Sequence, residues 1–111
     1  MKMKMNPNSI ADRGVINIYC AVIERAVDDW LSSYVYLMKN VGHINTDLTF
    51  ISKQYCGCEH MVYKKTKRLI EAEKFFQSES YEFYGDVVGC YVPYSLLMSE
   101  LKARANKKIY K

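Results

Sequence analysis

Cys56, Cys58 and His60 fall at alternate positions in the run Gln54-Tyr55-Cys56-Gly57-Cys58-Glu59-His60. Thiolate and imidazole are the donors that a structural zinc ion gathers into a tetrahedron. In a turning loop, alternation lets all three converge on one ion, and Gly57 frees the backbone to turn between the cysteines. Cys90, in a Gly89-Cys90 turn between helices, completes the expected ligand set, with His43, Cys20 or water as alternatives for the fourth position. Cys20 lies inside a helical stripe, where a cysteine is more often a small core residue. The Cys-x-Cys spacing is tighter than the usual zinc knuckle, so packing and thiol chemistry stand beside zinc as readings of the loop.

Catalytic constellations are not expected. Cys58 and His60 are near neighbours in one loop, with no third group in the sequence to orient the imidazole. Asp28 and Asp29 are adjacent and so point to different faces of a helix. No phosphate-cradling glycine loop, dinucleotide fingerprint or His-Glu-x-x-His occurs.

The elements that position these residues read as helices. Ile16, Tyr19, Ile23, Ala26/Val27, Trp30, Tyr34 and Leu37/Met38 recur in steps of three and four, which predicts one long amphipathic helix over 14–39. Glu24, Arg25, Asp28, Asp29, Ser32 and Ser33 take its outer face, and Gly42 is placed to end it. Thr46 or Asp47 can cap a short helix carrying Leu48, Phe50 and Ile51, although so brief a stretch also fits an extended segment. A second long helix is expected from His60 to Gln77, with Val62, Leu69, Ala72/Glu73 and Phe76 inward and Lys67 paired to Glu71. Ser80 is expected to cap a short turn over Tyr81–Tyr84, Gly85-Asp86 and Gly89 to interrupt the chain, and Pro93 to open a last helix whose core is Leu97, Leu101 and Ala105, with Leu96 and Met98 beside it. The fold class is therefore all-α, a small bundle of three to five helices with a Cys/His-bearing loop. Residues 1–12 are expected to be a flexible arm, 13–106 one helical domain and 107–111 a basic tail.

At 111 residues and a net charge of +4, the chain suits one domain with a modest core. No apolar run approaches the roughly 18 residues of a membrane span, and no apolar segment follows the basic start as in a signal peptide. A cytoplasmic location with reduced cysteines is the expectation. Lys64, Lys65, Lys67 and Arg68 crowd the first turns of the second long helix, where cations oppose the macrodipole by about 0.3–1 kcal/mol each. Either that helix begins further upstream, or the cations have an external anionic partner. A metal-capped loop just before it would help tie down such a start. The ten tyrosines include Tyr81, Tyr84, Tyr91 and Tyr94 in the least regular segment, a candidate partner-binding surface together with the four cations.

The blocks Ala21–Trp30, Glu71–Val87 and Leu96–Arg104 resemble a family of small proteins from phages and prophages of Gram-positive bacteria. Ala21, Ile23, Ala26, Asp29 and Trp30 match its first helix, and Phe75, Phe76, Ser78 and Glu79 match its second block, while 41–60 reads as an insertion. The resemblance implies a phage setting and brings no catalytic residues. The family's role is unknown; a small phage domain without catalytic residues is expected to be a non-enzymatic inhibitor of a host defence protein, with an RNA-guided CRISPR nuclease as target and blocked nucleic-acid loading or activation as mode. The alternatives are a DNA-binding regulator using the basic helix pair and a structural or assembly protein of the phage.

Overall fold

A helix of 31 residues is stable in water only when a face of it is buried against other elements. A computed structural model, which describes residues 10–57 and 59–110 with side chains from residue 14 onward, builds the protein around one such helix. Helix α1 (Ile10–Asn40) is followed by α2 (Leu48–Gln54), α3 (Met61–Phe76), α4 (Glu79–Val88) and α5 (Tyr94–Ile109). Helices α3, α4 and α5 all pack on α1, while α2 and α4 also rest on α3. The long axis of 52 Å is set by α1, whose 31 residues span about 46 Å at 1.5 Å each.

The all-α class stands. Helix α1 starts before residue 14 and takes in residues 10–12, expected as part of the flexible arm, and α5 extends through Lys107 and Lys108 of the expected tail. Residues 1–9, Cys58 and Lys111 lie outside the described residues.

Trp30 is wholly buried, stacks on Tyr34 at 4.7 Å and donates from Nε1 to the Glu73 carboxylate at 2.8 Å, joining α1 to α3. Leu31, Leu37, Leu69, Ala72 and Phe76 pack around it, and Leu97, Met98, Leu101 and Ala105 bring in α5. Each fully buried large side chain contributes about 1.5–3 kcal/mol. Ser33, expected on the outer face of α1, is instead wholly buried, because it stands one turn from both Trp30 and Leu37 on the inner stripe, and Thr66 of α3 is buried as well. Ser33 Oγ is the one buried side-chain polar atom without a partner among the described residues.

The helix ends show where short polar residues override pattern. Val41 and Gly42 both donate to the Leu37 carbonyl, and Gly42 takes φ +93°, as expected of a helix stop. Asp47, not Thr46, caps α2 by accepting from the Phe50 amide at 3.1 Å. Ser78, rather than Ser80, caps α4: its Oγ accepts from the Tyr81 amide and donates to the Phe75 carbonyl, so one hydroxyl serves the end of α3 and the start of α4. Pro93 occupies the cap position of α5, one residue earlier than expected. Leu96 is exposed rather than part of the α5 core.

Gly85 does not interrupt the chain; it sits buried inside α4. A Cβ there would stand 2.8 Å from the Tyr91 Cα and Cβ, so the absent side chain is what lets the chain fold back over α4 after Gly89. Gly14, in α1, has nothing within 4 Å of a notional Cβ. The same substitution therefore has opposite signs at the two sites. Gly14→Ala is expected to raise stability by up to about 1 kcal/mol, and Gly85→Ala to lower it by about 1–3 kcal/mol, read by denaturant titration. Stabilisation by Gly85→Ala would contradict the packing of Tyr91 on α4.

Candidate functional site

Around Cys56 the backbone is tightly wound. Cys56 has φ +61°, Gly57 has φ +128°, and the Gly57 amide bonds back to the Ser52 carbonyl at 2.7 Å. Cys56 is exposed and carries a free thiol. His60 has a structural role, since its Nδ1 accepts from the Val62 amide at 3.1 Å and caps α3, while its ring lies 4.6 Å from that of Tyr55. As the acceptor, Nδ1 carries no proton, so the neutral ring holds its proton on Nε2 and binds a metal only by giving up the cap. Cys90 is elsewhere. It follows α4, beside Tyr91, whose ring meets Tyr81; Tyr81 in turn packs on Phe75 and Phe76 at the far end of α3. Helix α3, about 24 Å long, lies between Cys90 and the loop. His43 is nearer, sharing with Gln54 and Tyr55 the wall of a cavity too small for more than a water molecule. Among the described residues no three of His, Cys, Asp or Glu stand close enough to share a metal ion.

The tyrosines are mostly internal mortar. Tyr81 is buried, and its hydroxyl donates to the Val92 carbonyl at 2.8 Å, pinning the 89–93 segment to α4. Tyr84 is half-buried and stacks on Tyr19 of α1 at 4.4 Å, and Tyr94 is half-buried against Gln77 and Glu73. Of the four, Tyr91 alone is exposed, with its backbone seated on Gly85.

The apolar surface that is left open lies beside them. Val15, Ile18 and Val22 follow one another at three- and four-residue spacing on α1, turned away from the buried stripe, and Ile18 is 61% exposed. Phe83 of α4, 56% exposed, meets Tyr19 edge-on at 5.8 Å. Tyr19 is one turn from both Val15 and Val22, so these residues make one continuous apolar face. Glu79 and Asp86 flank Phe83 one turn before and after it, with Glu82 beside it, and α4 carries no cation. The signal was present in the sequence as a second three-four repeat, masked by the stronger stripe on the same helix.

No protein family, no curated protein and no solved structure matches this chain. Its candidate sites therefore rest on their own geometry.

The charged residues of α3 complete that geometry. The helix begins at Met61, so an upstream start does not relieve its cations. Glu59 lies 3.8 Å from Lys64, both well exposed, and Lys65 stands 5.7 Å from the centre of the Tyr36 ring. The ion pairs among the described residues are this one and Arg104–Glu100; Lys67 does not reach Glu71, and Lys67 and Arg68 point outward unpaired. Lys65 on Tyr36, Glu73 on Trp30 and Tyr84 between Phe75 and Tyr19 fix α3 antiparallel to α1. The cationic start of α3 therefore lies at one end of α1 and the apolar face at the other, about 27 Å apart along the helix. Helix α4 intervenes between α3 and α5, so these two do not form a tight helix-turn-helix.

Burial pushes the Tyr81 phenol above its ordinary value of 10, and burial together with the Glu73 charge does the same at Tyr94. A raised value in the folded state means the protonated phenol favours folding. That contribution is complete below pH 10 and is lost as pH climbs through the folded value. Tyr81→Phe is expected to lower stability by about 0.5–1.5 kcal/mol at neutral pH, for the lost Val92 hydrogen bond, and to make the decline above pH 10 shallower. An equal fall of melting temperature with pH above 10 in both proteins would contradict this.

Proposed function

We propose that this protein is a phage-encoded, non-enzymatic inhibitor that docks on a host defence protein through the Val15–Ile18–Val22–Phe83 face. The observation that carries the proposal is an exposed apolar strip bordered by the α4 carboxylates Glu79, Glu82 and Asp86. An apolar centre with an acidic rim suits a partner that offers an apolar pocket rimmed by Lys and Arg, the surface of a protein that handles nucleic acid. The phage setting comes from the resemblance of the 21–30, 71–87 and 96–104 blocks, and an RNA-guided CRISPR nuclease is the target it directs us to first. Docking there blocks guide or target loading, or the activating movement, by occupying basic surface.

The loop at 56–60 serves the same proposal as a zinc staple held by Cys56, Cys58 and His60, whose ring gives up its cap on α3 to ligate, with His43 as fourth ligand in place of Cys90. About one zinc per chain in protein purified without added metal is the expected content; less than about a tenth, with thiols intact, removes the staple.

A nuclease-cleavage assay with added protein tests the docking. Inhibition is expected, with a loss of about tenfold or more in Ile18→Ser and in Phe83→Ser, as befits residues at the centre of an interface. Ile18→Ser spares the core, so its folding is secure even where Phe83→Ser weakens the contact with Tyr19. Unimpeded cleavage would remove this function, and variants that inhibit like the parent would remove the Val15–Ile18–Val22–Phe83 face as its docking surface.

A further inference from the structure

We infer that the outer face of α3 is a docking strip for the phosphate backbone of double-stranded DNA, separate from the protein-docking face. Lys64, Lys67, Arg68 and Lys74 project from the exposed side of α3 together with a single carboxylate, Glu71. From Lys64 to Lys74 the strip runs about 15 Å. Lys53, in the last turn of α2, extends it across the shallow groove that it lines with Leu48, Thr49, Ser52 and Tyr63.

The placement of these charges is electrostatically adverse for the isolated chain. Lys64, in the first turn of α3, faces the positive end of the helix dipole, and no acidic residue stands in that turn to offset it. The fold relieves Lys64 through Glu59 and seats Lys65 on Tyr36, but leaves Lys67 and Arg68 without an ion-pair partner among the described residues. Lys67 and Arg68 stand three and four residues after Lys64 on the same exposed face, and like charges at that spacing repel, so an anionic partner relieves them. An array of phosphates supplies that partner along the whole strip.

Duplex rather than single-stranded nucleic acid fits the chemistry. Single strands are held by successive aromatic platforms on which bases stack, whereas the exposed residues along α3 are charged and Tyr63, in the groove wall, is half-buried. Such a strip reads the backbone and carries no base-specific contact, so binding is independent of sequence. About three phosphates fall to Lys64, Lys67 and Arg68, which sets a salt slope of about −2.7 and a loss of about 40-fold between about 50 and 200 mM salt.

The test is fluorescence anisotropy of a labelled random duplex of about 20 base pairs at those two salt concentrations, with the full chain. Binding at low salt is expected, with the stated loss at high salt and weaker binding of the corresponding single strand. The double variant Lys67→Glu/Arg68→Glu should bind at least tenfold more weakly. It should also melt close to the parent, because both side chains are exposed and each substitution exchanges a repulsive contact with Lys64 for one with Glu71. Ile18→Ser should bind the duplex like the parent, which separates this strip from the nuclease-docking face. No binding at low salt overturns the proposal and leaves the strip to an acidic protein surface. Unchanged binding by the double variant also overturns it, placing any duplex contact on the basic end of α5 instead.

Discussion

Trp30 is the constraint on which the rest of the structure depends. Its ring has no exposed surface, yet its indole N–H must be satisfied, because an orphaned buried donor costs about 1–3 kcal/mol. Glu73 answers it from α3 at 2.8 Å, and a charge-assisted bond of that length fixes the rotation of α3 against α1. Once that rotation is set, Leu69 and Phe76 face inward, Lys65 falls over Tyr36, and the aromatic chain Phe75–Tyr84–Tyr19 draws α4 onto the other half of α1. The Tyr81 hydroxyl then holds the 89–93 segment that leads into α5. Each contact presupposes the one before it.

Long, strongly periodic segments were legible in the sequence, because a buried stripe on a helix must repeat every three or four residues. Helix α1, the α3 core and the Leu97–Leu101–Ala105 stripe of α5 follow from that rule alone. What failed to show was set by tertiary contact. Gly85 resembles a helix breaker, and only the close approach of Tyr91 explains a glycine inside α4. Ser78 and Ser80 are equivalent as sequence, and Ser78 is the cap because its hydroxyl also reaches the Phe75 carbonyl. Ten tyrosines suggested a binding surface, whereas in the fold Tyr81, Tyr84 and Tyr94 commit their rings to internal packing and Phe83 stays outside. Cys56 and His60 share a loop as their spacing requires, but nothing in the spacing places Cys90 beyond the opposite end of α3.

The resulting molecule has two unlike ends. One is apolar and acidic, built from the first half of α1 and from α4; the other is cationic, built from α2 and the start of α3. Ile51 and Val62 tie one end into the core cluster and Tyr81 the other, yet each end leaves something outside it: apolar area open to water at one, unpaired cations at the other. Helix α1 holds the two faces about 27 Å apart.

Because the chain has a single tryptophan, the hub can be read without interference. The direct measurement is Trp30 emission in native protein, with iodide quenching, followed through a denaturant titration alongside helical circular dichroism. A Trp30 hub predicts blue-shifted emission that iodide does not reach, and an unfolding midpoint coincident with loss of helix. Emission like that of an exposed indole, readily quenched, or a fluorescence change well before helix is lost, would contradict it.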